Sequence, residues 1–343
     1  MSVVVCSYNG ETTLARTLDS LVVQDYPGKF EIIVVNDGST DKTSQIAKKY
    51  KEVRCIDLAQ NVGISGARNA GMDVVKGEIY VAMDDDCLVR SDWLTQLAKG
   101  YALPDPAGVG GYLVDQEPIV GVTKNYISTI GGGFAPKVNT GSKPASIPVK
   151  LLNYLGAGLK ILSSEQATWI EAVELYGANC SFPIDVLRAV GGWDKKMTGI
   201  EDRDVCLRIR NHFPGKHFYA IRAAEVMHDP DISLWTYLKR PYVRGYANYR
   251  FHAMNHFLPP LFPLPFMLVA LCALAAVHEI EWTIPTLILL PQLLYFWWPF
   301  FAVSKMTPSY FLFPYIQFAE ESAVILGLLR GFLKYKKEKH ANS

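Results

Sequence analysis

Three consecutive acids, Asp84, Asp85 and Asp86, follow an apolar run at residues 79–83. A run of that length reads as a buried strand. Three carboxylates cannot be buried together without charge compensation, because desolvating uncompensated anions is too costly. They are therefore expected at the carboxyl end of the strand, where open α/β sheets bind ligands. A divalent cation with hard oxygen ligands, shared with substrate phosphates, would supply the compensating charge; a solvated acidic turn is the plainer alternative. Three other segments suit a nucleotide-like ligand. Cys6-Ser7-Tyr8-Asn9-Gly10-Glu11 turns off one apolar run, and Asn36-Asp37-Gly38-Ser39-Thr40-Asp41 turns off the next. Asp37 is placed to accept from a base N–H or a ribose hydroxyl, although capping a turn is the default role for such an acid. The segment from Asn61 to Asn69 enters a helix with Gly63 and Gly66, which allow close backbone approach. Its Arg68 can reach the acids or a phosphate, or pair with a local carboxylate.

Such residues need a sheet to hold them together. Strands are expected over 3–6, 31–36, 53–58 and 79–83, with helices over 11–22, 42–50 and 65–74 between them. This alternation implies right-handed crossovers and a parallel, doubly wound α/β sheet. Thr40-Asp41 and Ser91 supply helix starts. Residues 101–175 are less regular, and 131–148 reads as a long loop. The 343 residues suggest two domains, or one with an appendage. A net charge of +1 gives no reason to expect nucleic acid. Six cysteines without CxxC pairing argue against a zinc site or disulfide framework and suit reduced cytosolic thiols. No basic n-region precedes the first strand, so no signal peptide is expected.

Half of the chain is hydrophobic, and the excess lies late. Residues 257–277 carry no charge, and a second apolar stretch covers 282–304. Each has the ~20 residues needed to cross a bilayer, and Trp282, Trp297 and Trp298 lie toward segment ends, as interfacial aromatics do. Two transmembrane helices are expected, with a buried hairpin as the alternative. Residues 308–333 are apolar but carry Glu320 and Glu321 midway, which is costly at a bilayer centre. An interfacial amphipathic helix is therefore expected there in preference to a third span. Lys239, Arg240, Arg244, Arg250, Lys305 and the basic tail place the large domain and the tail on the cytoplasmic side.

Taken in order, Val3 to Asn9, Val35 to Asp41, Asn61 to Asn69 and Met83 to Asp86 resemble the motifs of a family-2 glycosyltransferase with a GT-A fold. The resemblance covers residues 1–230. It implies a Rossmann-like, mostly parallel nucleotide-sugar-binding sheet, followed here by the helical hairpin and amphipathic helix. Ser7, Tyr8, Asn9, Glu11, Asp37 and Arg68 then belong to the donor side. The acidic motif binds Mg2+ or Mn2+ on the donor diphosphate, with Asp86 as the metal ligand and Asp84 or Asp85 facing the nucleotide. His228 falls where such enzymes place a histidine near the diphosphate; a satisfied polar residue at a strand end looks the same. The Gly177–Phe182 and Val190–Asp194 segments resemble the acceptor side, which brings in Asn179 and Trp193. Gly199-Ile-Glu201-Asp202-Arg-Asp204 resembles the Glu-Asp motif, which makes Asp202 the general base and sets Glu201 beside it.

The function implied is inverting transfer of one sugar from a nucleotide-diphosphate sugar to a lipid-linked or glycan acceptor at the membrane. A positioned carboxylate can deprotonate the acceptor hydroxyl, while cations stabilise the leaving diphosphate. UDP-sugars are the family's commonest donors, with GDP-sugars as the alternative. Arg240 and Arg244 clamp donor or acceptor phosphates or face anionic membrane lipid. The expected organisation is a catalytic domain over 1–230, a basic juxtamembrane segment over 231–256, two spans over 257–304, and an interfacial helix with basic tail over 305–343. Residues 233–250 lack the Gln-x-x-Arg-Trp motif of processive synthases, which favours single addition. A polyprenyl-phosphate glycosyltransferase, a polysaccharide-synthase subunit and an inactive nucleotide-sugar-binding scaffold are the alternatives. A nicotinamide dehydrogenase is disfavoured, since no GxGxxG follows the first strand.

Overall fold

Valine and isoleucine runs make the middle of a nine-stranded sheet in this computed structural model, which describes residues 1–115, 122–123, 126, 168–197, 199–228, 233–255, 262–278, 283–299 and 308–341. The described residues fall into two compact units: 1–115 with 168–228, and 122, 123 and 126 with residues from 233 onward. The loop expected over 131–148 lies outside the described residues.

The first unit opens with β1 (Ser2–Ser7), α1 (Leu14–Val22), β2 (Glu31–Asn36), α2 (Thr43–Ala47), β3 (Val53–Asp57), α3 (Gly63–Met72) and β4 (Ile79–Asp84). β1 is buried along its whole length, as a strand covered on both faces must be. Val3 and Val5 pack with Leu14 and Leu18 of α1, while Val4 and Cys6 pack with Ala67 and Met72 of α3. β1 pairs in parallel with β2 and β4, and β2 with β3. The register Cys6↔Asp84 brings the carboxyl ends of β1 and β4 level.

Beyond β4 the sheet becomes mixed. β5 (Cys87–Val89) and α4 (Trp93–Gly100) lead to β6 (Pro106–Asp115), then β7 (Trp169–Ala172), β8 (Cys180–Pro183), α5 (Ile184–Ala189), α6 (Glu201–His212) and β9 (His217–His228). The strand order is β3-β2-β1-β4-β8-β6-β9-β5, with β7 on β9. β8 runs antiparallel to β4 and β6, and β9 runs antiparallel to β5 and β7 but parallel to β6.

The second unit contains α7 (Leu234–Met254), α8 (Pro263–His278), α9 (Thr283–Leu294) and α10 (Phe313–Ala341). Ser233 Oγ caps α7 by accepting from the Thr236 N–H at 3.2 Å. α7 and α10 approach closely enough that a Cβ at Gly245 would strike the Val324 carbonyl, and one at Gly327 the Tyr242 carbonyl. Small residues permit such backbone contact between helices. Tyr126, Tyr237, Tyr295, Trp298 and Phe313 form the aromatic core. Glu321 accepts from Tyr295 Oη at 2.8 Å and Gln317 Nε2 at 3.0 Å, and Glu320 accepts from Tyr126 Oη at 2.8 Å. Phe266, Val269, Leu293, Leu326, Leu329 and Leu333 face outward.

The helices at the two expected spans are shorter than spans. α8 has 16 residues and α9 has 12, about 24 and 18 Å of helix against a hydrocarbon core of about 30 Å. The remainder of residues 257–304 includes positions outside the described residues. Among the described residues, Pro308–Lys336 is the one helical stretch with the length and apolarity to cross a membrane. Glu320 and Glu321 do not interrupt its outward face, because they hydrogen-bond inward.

Candidate active site

One buried arginine organises the carboxyl edge of the sheet. Arg68 stands on α3 with 2% of its surface exposed. Its Nη1 donates to Asp202 Oδ1 at 2.7 Å and Glu201 Oε1 at 3.1 Å, and its Nη2 to Asp84 Oδ1 at 3.2 Å. The guanidinium also lies 5.8 Å from the Trp193 ring. Desolvation works against the Arg68 charge, but Asp202, Asp84 and Glu201 outweigh it and hold the group above its ordinary pKa. Glu201 and Asp202 occupy the first turn of α6, where the helix dipole favours anions.

Asp202 is held from a second side. Its Oδ2 accepts from the Gly177 N–H at 2.8 Å. A Cβ at Gly177 would collide with the Arg68 and Asp202 side chains, so a larger residue there must displace that pair. Burial pushes the Asp202 carboxyl up to about 7, with Arg68 pulling the other way, Glu201 adding to the rise and the Gly177 amide opposing it. Its side chain remains 27% exposed, within reach of an incoming group.

The three acids point to three places. Asp84 joins Arg68. Asp85 accepts from Ser7 Oγ, and its backbone carbonyl accepts from Thr17 Oγ1 at 2.8 Å. Burial raises the Asp85 carboxyl to about 6; the Ser7 hydrogen bond opposes this, and the Asp86 and Asp84 charges reinforce it. A Cβ at Gly10 would fill the space against Asp85 and Ser7. Asp86 Oδ2 meets His228 Nε2 at 3.1 Å. Asp86 and His228 are both partly open to solvent and offer oxygen and nitrogen donors, so they fit a divalent cation.

Beside Asp85, two loops are stapled together. Asn9 Oδ1 accepts from the Thr40 N–H at 3.0 Å, and Glu11 Oε2 from the Lys42 N–H at 3.2 Å. Asn9 adopts φ 55°, a left-handed conformation that asparagine tolerates. Tyr8 is 52% exposed. Asp37 is buried, and its two oxygens accept from the Val62 N–H at 2.7 Å and the Gly63 N–H at 3.0 Å. It therefore closes the start of α3, the helix that carries Arg68.

Residues 2–133 match the Glycosyl transferase family 2 profile. That stretch of the chain is similar to family-2 glycosyltransferases. The chain is 38% identical over 102 residues to glycosyltransferase GlyA of Streptococcus pneumoniae, covering 29% of this chain and 14% of that protein. It is 26% identical over 222 residues to the glucosyl-dolichyl phosphate glucuronosyltransferase of Haloferax volcanii, covering 61% and 63%. The chain thus spans less than two thirds of the length of each of these relatives. A mannosyltransferase from Pyrobaculum calidifontis, solved with GDP-mannose and Mn2+, shares the fold at TM-score 0.58 and 19% identity, over 96% of this chain and 86% of that one.

In the α/β unit, the three residues expected on the acceptor side, Asn179, Trp193 and Glu201, are all buried. Asn179 is fully buried; its amide donates to the Ala224 and Tyr112 carbonyls at 2.8 and 3.1 Å, and its oxygen accepts from Trp93 Nε1 at 3.1 Å. Those contacts leave no donor for an acceptor, which corrects the sequence expectation. Trp193 is buried against Tyr80 and Arg68. Glu201 spends its second oxygen on the Gly199 N–H at 2.8 Å. Arg240 and Arg244 lie one turn apart on α7, in the other unit. Sequence reasoning passed over Gly177, whose backbone N–H holds Asp202, and Asn69, which exchanges hydrogen bonds with the Trp193 backbone at 2.7 and 2.9 Å. Both stand inside the recognised motifs, but neither function has a side-chain signature of its own.

Proposed function

We propose that the chain is a metal-dependent, inverting glycosyltransferase that moves one sugar from a nucleotide-diphosphate sugar to a lipid-linked or glycan acceptor at the cytoplasmic face of a membrane. The observation that carries this reading is the Arg68 junction, which holds donor-side Asp84 and helix-borne Asp202 on one guanidinium. That junction fixes the spacing between the donor edge and the base. Ser7, Tyr8, Asn9, Glu11, Asp37 and Asp85 form the nucleoside side. Asp86 and His228 would hold Mg2+ or Mn2+, which when bound supplies positive charge for the departing diphosphate.

Asp202 accepts the acceptor hydroxyl's proton on a remaining lone pair. The acceptor oxygen forms its bond to the anomeric carbon as the bond to the diphosphate breaks, and a single displacement inverts the centre. Arg68 and the Gly177 amide aim the carboxylate during this step. The Haloferax relative is named for a dolichyl-phosphate-linked sugar, and the outward apolar faces of α8, α9 and α10 suit a membrane surface; both favour a lipid-linked acceptor. GDP-mannose and Mn2+ in the Pyrobaculum structure put GDP-sugars beside UDP-sugars in the first donor set. A nucleotide-release screen of the full chain with both donor sets, Mg2+ or Mn2+ and membrane lipid extracts tests the reading. Release that depends on lipid supports it, and no release with any donor overturns it.

Arg240 and Arg244, one turn apart on α7, keep a second reading in view, in which a bare polyprenyl phosphate is the acceptor. Such an anion has little need of a base, so full activity in Asp202→Asn would select that reading.

A further inference from the structure

The cation site proposed above has a sulfur beside it. Cys87 follows Asp86 directly and stands opposite His228 in the antiparallel pairing of β5 with β9. Residues directly opposite on such strands send their side chains to the same face. Cys87 Sγ lies 3.7 Å from Asp86 Oδ1, and the sulfur, an Asp86 oxygen and a His228 ring nitrogen all lie within 4.8 Å of one another. Typical zinc–sulfur and zinc–oxygen bonds at a tetrahedral angle would separate the two donor atoms by about 3.6 Å. The observed spacing, that of a thiol donating to a carboxylate, is also close to that of two ligands of one ion. Among the described residues this is the one three-residue group of metal-binding type.

We propose that Cys87 is a third side-chain ligand, so that this site binds thiophilic divalent cations more tightly than hard ones. The inference rests on the reading that Asp86 and His228 hold a cation. Mg2+ and Mn2+ prefer oxygen and gain little from sulfur, whereas Zn2+, Cd2+ and Co2+ gain a bond to the Cys87 thiolate. Zn2+ and Cd2+ then compete with the working metal and hold the site in an unproductive form. With a purely structural thiol, replacing Cys87 leaves the metal preference of the site unchanged.

Cobalt reports the sulfur directly. The full chain in detergent, with a nucleoside diphosphate present, is titrated with Co2+ and followed in the near ultraviolet. The expected result is a thiolate-to-cobalt charge-transfer band that is absent from both Cys87→Ser and Cys87→Ala. Cd2+ affinity should fall at least about tenfold in those variants, while Mn2+ affinity moves less than about threefold. Thermal unfolding of both variants checks that they remain folded. Co2+ binding to the wild-type chain without the band overturns the proposal and leaves the Asp86–His228 reading standing. Unchanged Mn2+ affinity in Asp86→Asn overturns that underlying reading, and the proposal with it.

Discussion

The two units solve burial of polar groups in opposite ways. In the α/β unit two clusters of buried charge are compensated by opposite charge: Arg68 meets three acids, and Arg208 meets Asp204 at 2.7 Å. In the helical unit the outside carries Leu326, Leu329 and Leu333, while Glu320 and Glu321 take hydrogen bonds from tyrosine and glutamine inside. The first arrangement suits water, where apolar burial drives folding. The second suits lipid, where outward leucines cost nothing and polar groups must find partners within. The charged junction of the first unit is the proposed chemical site, whereas the polar groups of the second are its internal fastening.

Substitutions that remove charge from the first unit should have the largest effects. Asp202→Asn should lower kcat/KM about 10²–10⁴-fold, the usual worth of a positioned base, with circular dichroism unchanged; a loss under tenfold would remove Asp202 from the chemistry. The same residue sets a pH limb. Its carboxyl must be ionised to accept a proton and is pushed up to about 7, so kcat/KM should fall about tenfold per pH unit below 7 and level off above it. For stability the sign reverses. A carboxylate raised from its ordinary 3.8 weakens the fold as pH climbs toward about 7, and Asp202→Asn should flatten that slope in denaturation curves.

Arg68→Met comes next. It leaves Asp84, Glu201 and Asp202 without their shared cation, and chemical denaturation should register a loss of about 3–5 kcal/mol. In the helical unit, Gly327→Val forces a side chain against the Tyr242 carbonyl and should cost about 1–3 kcal/mol in detergent. The smallest effect on folding sharpens the contrast most. Leu329→Lys on the outward face of α10 should change stability in detergent by no more than about 0.5 kcal/mol. Flotation with vesicles should nevertheless show weaker membrane association; unchanged flotation would return α10 to an ordinary surface helix.

The parallel half of the sheet was legible because β1 and β2 carry β-branched runs and β4 an apolar one, separated by helix-length segments. β6 was not, since Pro106, Gly108, Gly110 and Gly111 break its pattern, and β5, β7 and β8 have only three or four residues each. Site residues were legible by type and not by partner. Nothing local says that Arg68 pairs with Asp202, 134 positions away, or that the amide of Gly177 steadies that acid. Asn179 misled because a polar residue in an acceptor-side motif looks like a contact until its three hydrogen bonds are known. Hydropathy located the late apolar stretches, but composition cannot say which way Glu320 and Glu321 turn.

The pairing of β5 with β9 also imposes an order in time. Asp86 and His228 are 142 positions apart (228 − 86). At about 5–20 residues per second, a ribosome needs roughly 7 to 28 seconds to make that interval. During it β1 to β4 can already pair, while β5, whose ladder partner is β9, has no strand to join. A nascent chain stopped at residue 216 should therefore be clipped by protease around residues 87–89, and one extended past 228 should resist. The Asp86–His228 contact thus closes late and acts as a completion mark: the site comes together only after the whole α/β unit has been synthesised.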